Sequence, residues 1–138
     1  MSGMNVSRRL ALVIGVLLPI AELYRRRHQL ADLSMFPAWF DDMLIGAFLL
    51  YGVWRTREGR ESGRMFLAAA WAFMAGMAYG SFFGQLSELS KPDPSGASSM
   101  IVVAIKGAGL ALAFVGLALT YSGPEVRSLV KPHTVDRG

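Results

Sequence analysis

Four long apolar runs separated by clusters of charge constrain this chain more than any other feature. Cut at its charges, the 138-residue sequence leaves Leu10–Tyr24, Phe36–Trp54, Met65–Gly84 and Met100–Tyr121. The last three approach the roughly 20 apolar residues that a helix needs to cross a bilayer, and the first is the shortest. A helix satisfies its own backbone hydrogen bonds, which lipid cannot do for it, so such runs read as spanning helices. Composition agrees: 53% of residues are hydrophobic and 17% charged, whereas soluble domains average about 45–50% and about 25%. The expected fold is all-α, an integral membrane four-helix bundle forming one domain, with a flexible polar tail over 122–138. The loops fall at RTREGRESGR (55–64) and KPDPSGASS (91–99), whose glycines and prolines interrupt helices.

A short N-terminal run also fits a cleaved signal peptide, but the small-residue cleavage pattern is missing, because Pro19-Ile20-Ala21 is followed by Glu22. With all four runs retained, one side of the membrane holds Arg8, Arg9, Arg55, Arg57, Arg60, Arg64, Arg127, Lys131 and Arg137. The other side holds Arg25, Arg26, Arg27 and Lys91. The positive-inside rule then places both termini in the cytoplasm and the protein, multi-pass, in a plasma or inner membrane. The net charge of +4 and pI near 9.9 come from basic residues flanking apolar runs, so they point to membrane lipids and not to nucleic acid.

Residue types exclude several chemistries. With no cysteine there is no thiolate nucleophile, iron–sulfur cluster or thiolate zinc site. His28 falls in a loop and His133 in the tail, so no pair of histidines in the spans offers haem or metal ligation. The carboxylates Asp41, Asp42, Glu22 and Glu88 lack anything that fixes a coordination geometry. No metal site and no cofactor is expected.

Two stripes of small residues read as helix-packing faces. Ala68, Ala72, Gly76, Gly80 and Gly84 recur every fourth residue in the third run, and Gly109, Ala113 and Gly116 share a stripe with Lys106 and Thr120 in the fourth. Such ridges let helix backbones approach closely in lipid, within one chain or between copies, so a homo-oligomer or a partner membrane subunit is an expected occupant.

The remaining charges are the functional candidates. Counted from the same membrane face, Asp41, Asp42 and Lys106 lie roughly 8 to 9 Å deep at about 1.5 Å per residue, where a charge costs about 2.5–3.5 kcal/mol. Lys106 is expected to pair with one aspartate, since a pair keeps both groups ionised where either alone would be neutralised. Glu22, Tyr79 and Gln85 join them at the same end as candidate ligand contacts, with Glu22, Gln85 and Glu88 expected in interfacial water. These residues outline a polar pocket opening outward above an apolar, Gly/Ala-packed half. The function expected from it is non-catalytic, either binding a lipid or small ligand or serving as a subunit of a membrane complex. Two other readings stay open. One is a small dimeric ion-coupled transporter; the other is a membrane isomerase or hydrolase using Asp41 or Asp42 as acid–base and Lys106 as oxyanion partner. Replacing Lys106 by Met is expected to reduce the folded yield in detergent, read by size-exclusion chromatography; an unaltered yield contradicts a buried ion pair.

Overall fold

The computed structural model describes residues 2–25, 27, 36–57, 61–91, 93 and 96–122. The polar tail beyond Ser122 and both histidines lie outside the described residues. Four helices follow in order: α1 (Gly3–Arg25), α2 (Phe36–Arg57), α3 (Glu61–Ser87) and α4 (Ser99–Tyr121), with no strand among the described residues. Each helix packs on its neighbour in sequence, and α1 closes the ring against α4. Two of them, α3 over Ser62–Ser87 and α4, are long and apolar enough to cross a membrane. The other two carry more charge: Arg8, Arg9, Glu22 and Arg25 in α1, and Asp41, Asp42, Arg55 and Arg57 in α2.

The helices outrun the apolar runs that predict them. Gly3 starts α1, and the segment expected to be a charged turn over 55–64 is largely helical, with Arg55 and Arg57 in the last turn of α2 and Gly63 already in α3. The reason is electrostatic: arginines complement the negative end of a helix dipole, so a basic cluster extends a helix as readily as it ends one. Gly63 at the start of α3 lies against the last turn of α2, where a Cβ would collide with the backbone of Arg55. At the other loop α3 stops at Ser87, one turn before Pro92, and Ser99 Oγ donates to the Lys91 carbonyl at 2.7 Å to close the connection.

The start of α1 and the end of α4 share one end of the bundle, which is fastened by a tryptophan. Trp71 is completely buried among Leu49, Leu67, Met74 and Ala113. Its indole lies so close to Gly116 of α4 that any side chain there would overlap it. The indole Nε1–H donates to Ser7 Oγ of α1 at 2.9 Å, and Ser7 Oγ is 2.7 Å from Thr120 Oγ1. Both hydroxyls reach the Gly116 carbonyl, at 3.0 Å and 2.8 Å. Each hydroxyl has one proton, so one donates to the other and the other to the carbonyl, which satisfies every buried polar group in the set. Gly3 beside Leu119 and Ser122 completes this end.

Between α1 and α2 the contact is of another kind. Pro19 sits inside α1 and, having no N–H, leaves the carbonyl of Gly15 without its helical donor. That carbonyl and the Pro19 ring both lie against Gly46 of α2, where a Cβ would meet them in overlap.

Within the chain the expected packing stripes are used only in part. Ala68 is buried, as are Ala113 and Gly116, but Ala72 is exposed, and a Cβ at Gly76, Gly80, Gly84 or Gly109 would meet nothing within 4 Å. Large-on-small contacts are responsible. Trp71 on Gly116 and Phe82 on Gly107 set the α3–α4 distance, so the stripes do not press on one another within the chain. A pair of substitutions separates the two kinds of glycine. Gly116→Ala is expected to destabilise the fold by about 1–3 kcal/mol through overpacking, and Gly80→Ala to stabilise it by about 0.5–1 kcal/mol through helix propensity. Thermal unfolding in detergent, followed by circular dichroism, measures both.

Candidate functional site

The end of the bundle where α1 finishes and α4 starts is built from charge. In the last turns of α1, Glu22 and Arg25 are three residues apart, which puts them on one helix face. Arg25 grips the carboxylate with two hydrogen bonds, Nε to Oε2 and Nη2 to Oε1, each 2.9 Å. Its Nη1 lies 3.9 Å from Oδ1 of Asp93 in the α3–α4 connection. Glu22 and Asp93 are only 7% and 6% exposed. Glu22 therefore does not sit in interfacial water as expected; the bidentate arginine offsets the cost of burying it. Asp93 and Asp42 add their charges to that of Glu22 around the guanidinium.

Lys106 enters from α4. Its Nζ donates to Gln85 Oε1 at 3.0 Å and approaches the Ser81 carbonyl at 3.4 Å, both on α3. Ser81 and Gln85 are one turn apart, so a single face of α3 braces the ammonium. The sequence placed Lys106 level with Asp41 and Asp42, and all three line one cavity of about 910 Å³.

All four helices contribute to that cavity. From α1 come Leu18, Ala21 and the Glu22–Arg25 pair, and from α2 Asp41, Asp42 and Ile45. Helix α3 supplies Met74, Met77 and the glycines 76 and 80, and α4 supplies Ile101, Ile105, Lys106 and Gly109. Three of the glycines that meet nothing within 4 Å are thus cavity wall, and the space exists partly because they lack side chains. Beyond α1, Arg27 also lines the cavity, with its guanidinium stacked 4.6 Å above the Tyr24 ring.

Two candidates take other positions. Tyr79 is 57% exposed and packs on Phe83 with ring centroids 4.6 Å apart, away from the lining residues. Gln85 reaches the site through Lys106. Glu88 pairs in solvent with Lys91 at 2.6 Å, which lowers its pKa. Among the described residues no group of three or more His, Asp or Glu is placed to hold a metal ion. Sequence reasoning missed Arg25 and Asp93 as site residues. The acid–base spacing of Glu22 and Arg25 was a usable signal; for Asp93, between two prolines, there was none.

Chemically, the cavity offers apolar contact from Leu18, Ile45, Met74 and Met77 together with opposed charges at one end. Glu22→Gln is expected to lower stability by about 3 kcal/mol or more, because it leaves a partly buried guanidinium without its main counter-ion. Glu88→Gln, at an exposed pair, is expected to produce no measurable change in the same thermal unfolding experiment. Comparison with protein-family models, with curated proteins and with solved structures finds no match to this chain.

Proposed function

We propose that the chain is a multi-pass membrane protein whose four helices all cross the bilayer, and whose cavity binds one lipid or similar small amphiphile without chemical turnover. The observation that carries this reading is the cavity of about 910 Å³, apolar along its depth and charged at one end. Its size lies in the range of about 300–1,000 Å³ typical of small-ligand sites. A bundle serving only as a structural subunit has no use for such a space.

The surface supports the membrane assignment. Helix α1, despite charge near both ends, turns Leu12, Val13, Val16, Leu17 and Ile20 outward, and α4 turns out Leu112, Phe114 and Val115. Contiguous exposed apolar faces on helices of 22 to 27 residues match the roughly 30 Å hydrocarbon core, since the shortest of these helices is about 33 Å long. The lysine and arginine count favours cytoplasmic termini, which puts the charged mouth on the opposite side. Because the charges gather at one end, away from the midplane where alternating-access sites lie, binding fits them better than ion-coupled transport.

Purification in native lipid followed by native mass spectrometry tests the proposal. Wild-type chain is expected to retain a bound amphiphile at about one per chain or per cavity. A Gly80→Leu, Gly109→Leu double variant, which fills the cavity from two walls, is expected to lose it while keeping its helical circular dichroism. Lipid-free wild-type protein, or unchanged retention by the filled variant, would contradict the reading.

A further inference from the structure

One face of α1 changes its surroundings partway along the helix. Ser7, Ala11, Leu18, Glu22 and Arg25 fall on it at intervals of three, four and seven residues. In the first half that face meets protein: Ser7 and Ala11 are fully buried, Ser7 against Thr120 of α4 and Ala11 in one core cluster with Ala113. In the second half it meets open volume, since Leu18, Ala21, Glu22 and Arg25 line the cavity. Helix α4 mirrors the change. Thr120, Gly116 and Ala113 are buried, whereas Gly109, Ile105 and Ile101, each four residues further along the same stripe, are cavity wall.

Pro19 stands where α1 makes this change. A helix lacking one backbone hydrogen bond bends more easily there than elsewhere. The stretch before Pro19 is fixed by Ser7, which accepts from the Trp71 indole and bonds with Thr120. The stretch after it carries the cavity-lining residues. The Pro19 ring rests on Gly46 of α2, which offers no side chain to lock it.

The sides of the cavity close differently. Between α1 and α2, Gly15 and Pro19 lie against Gly46. Between α3 and α4, Phe82 lies on Gly107 and Lys106 donates to Gln85. Between α2 and α3, the buried Ile45 and Met74 share one core cluster, and the lining that α2 adds beyond them is Asp41 and Asp42. An opening to lipid there would set carboxylates beside acyl chains, at a cost in free energy. Between α1 and α4 the lining includes Tyr24, Ile101 and Ile105, which are 71%, 57% and 66% exposed. Apolar side chains that face both the cavity and the surroundings make this the side where the interior is continuous with lipid.

We infer that the cavity is filled sideways: an acyl chain of a bilayer lipid enters between α1 and α4, and α1 beyond Pro19 moves to admit it. The inference rests on the reading of the cavity as an amphiphile site.

Because the chain has no cysteine, Ala21→Cys with Ile105→Cys puts one thiol on each side of this seam. The full chain, stripped of lipid in detergent, is bridged there with a bismaleimide that contains a cleavable disulfide. It is then reconstituted in vesicles of phosphatidylethanolamine and phosphatidylglycerol, doped with a phosphatidylethanolamine whose acyl chain carries a diazirine, and labelled by illumination. Mass spectrometry maps the label. Unbridged protein is expected to be labelled at Met74 and Met77 in the cavity as well as at the outward-facing Leu17 and Phe114. Bridged protein is expected to lose the label at both methionines, keep it at Leu17 and Phe114, and regain the lost label once the disulfide is reduced. Methionine label that persists in the bridged protein, or a thiol pair that no bismaleimide spans, overturns the lateral route and leaves amphiphile binding standing. No label at Met74 or Met77 in unbridged protein overturns both. Pro19→Ala restores the missing N–H. When labelled vesicles are fused with the reconstituted protein, it is expected to slow the rise of methionine label several-fold and leave its final level unchanged; an unchanged rate contradicts movement about Pro19.

Discussion

The rest of the structure hangs on one contact, the Trp71 indole seated on Gly116. Helices are held in register by close van der Waals packing and by hydrogen bonds between them, and in the proposed membrane setting, where apolar burial gives little drive, these two carry the association. Trp71 supplies both. Its ring fills the hollow that Gly116 leaves in α4, and its N–H starts a hydrogen-bonded set running through Ser7 and Thr120 to the Gly116 carbonyl. Three helices are registered by these four residues. The polar groups involved are fully satisfied, which makes the arrangement specific: any slip of α1 or α4 would strand a buried hydroxyl or the indole N–H.

A wide side chain between α3 and α4 also has a consequence at the far end of the bundle. Helices spaced by tryptophan and phenylalanine do not bring Gly76, Gly80 and Gly109 into contact, and the volume those residues leave becomes the cavity. The glycines thus do different work along one helix pair. At 107 and 116 they receive an aromatic ring; at 76, 80 and 109 they leave room.

At the mouth the organising group is Arg25. On the proposed four-span topology, the 25–27 arginine run counts toward the less basic side. In the fold Arg25 is committed to Glu22 and Asp93, so it ties the α3–α4 connection to the end of α1. A charge employed in this way is a poor guide to topology. Lys106, similarly, is fixed on the cavity wall by donating to Gln85 and to the Ser81 carbonyl, both on one face of α3.

Much of this was legible before any coordinates. The apolar runs placed four helices to within four residues at every end except the start of α1, which begins seven residues before its run, and Asp41, Asp42 and Lys106, counted to one level, line one cavity. Period and depth are properties of a single helix, so the sequence by itself determines them. It could not decide what each face meets. The stripe from Ala68 to Gly84 is regular, yet only its first residue is buried against the core, because whether small residues touch depends on the bulk of residues elsewhere that hold the helices apart. Nor could it show that Glu22 would be buried, or that Asp93 would come from a distant loop to share its arginine. Those are outcomes of three-dimensional proximity, and only the tertiary structure decided them.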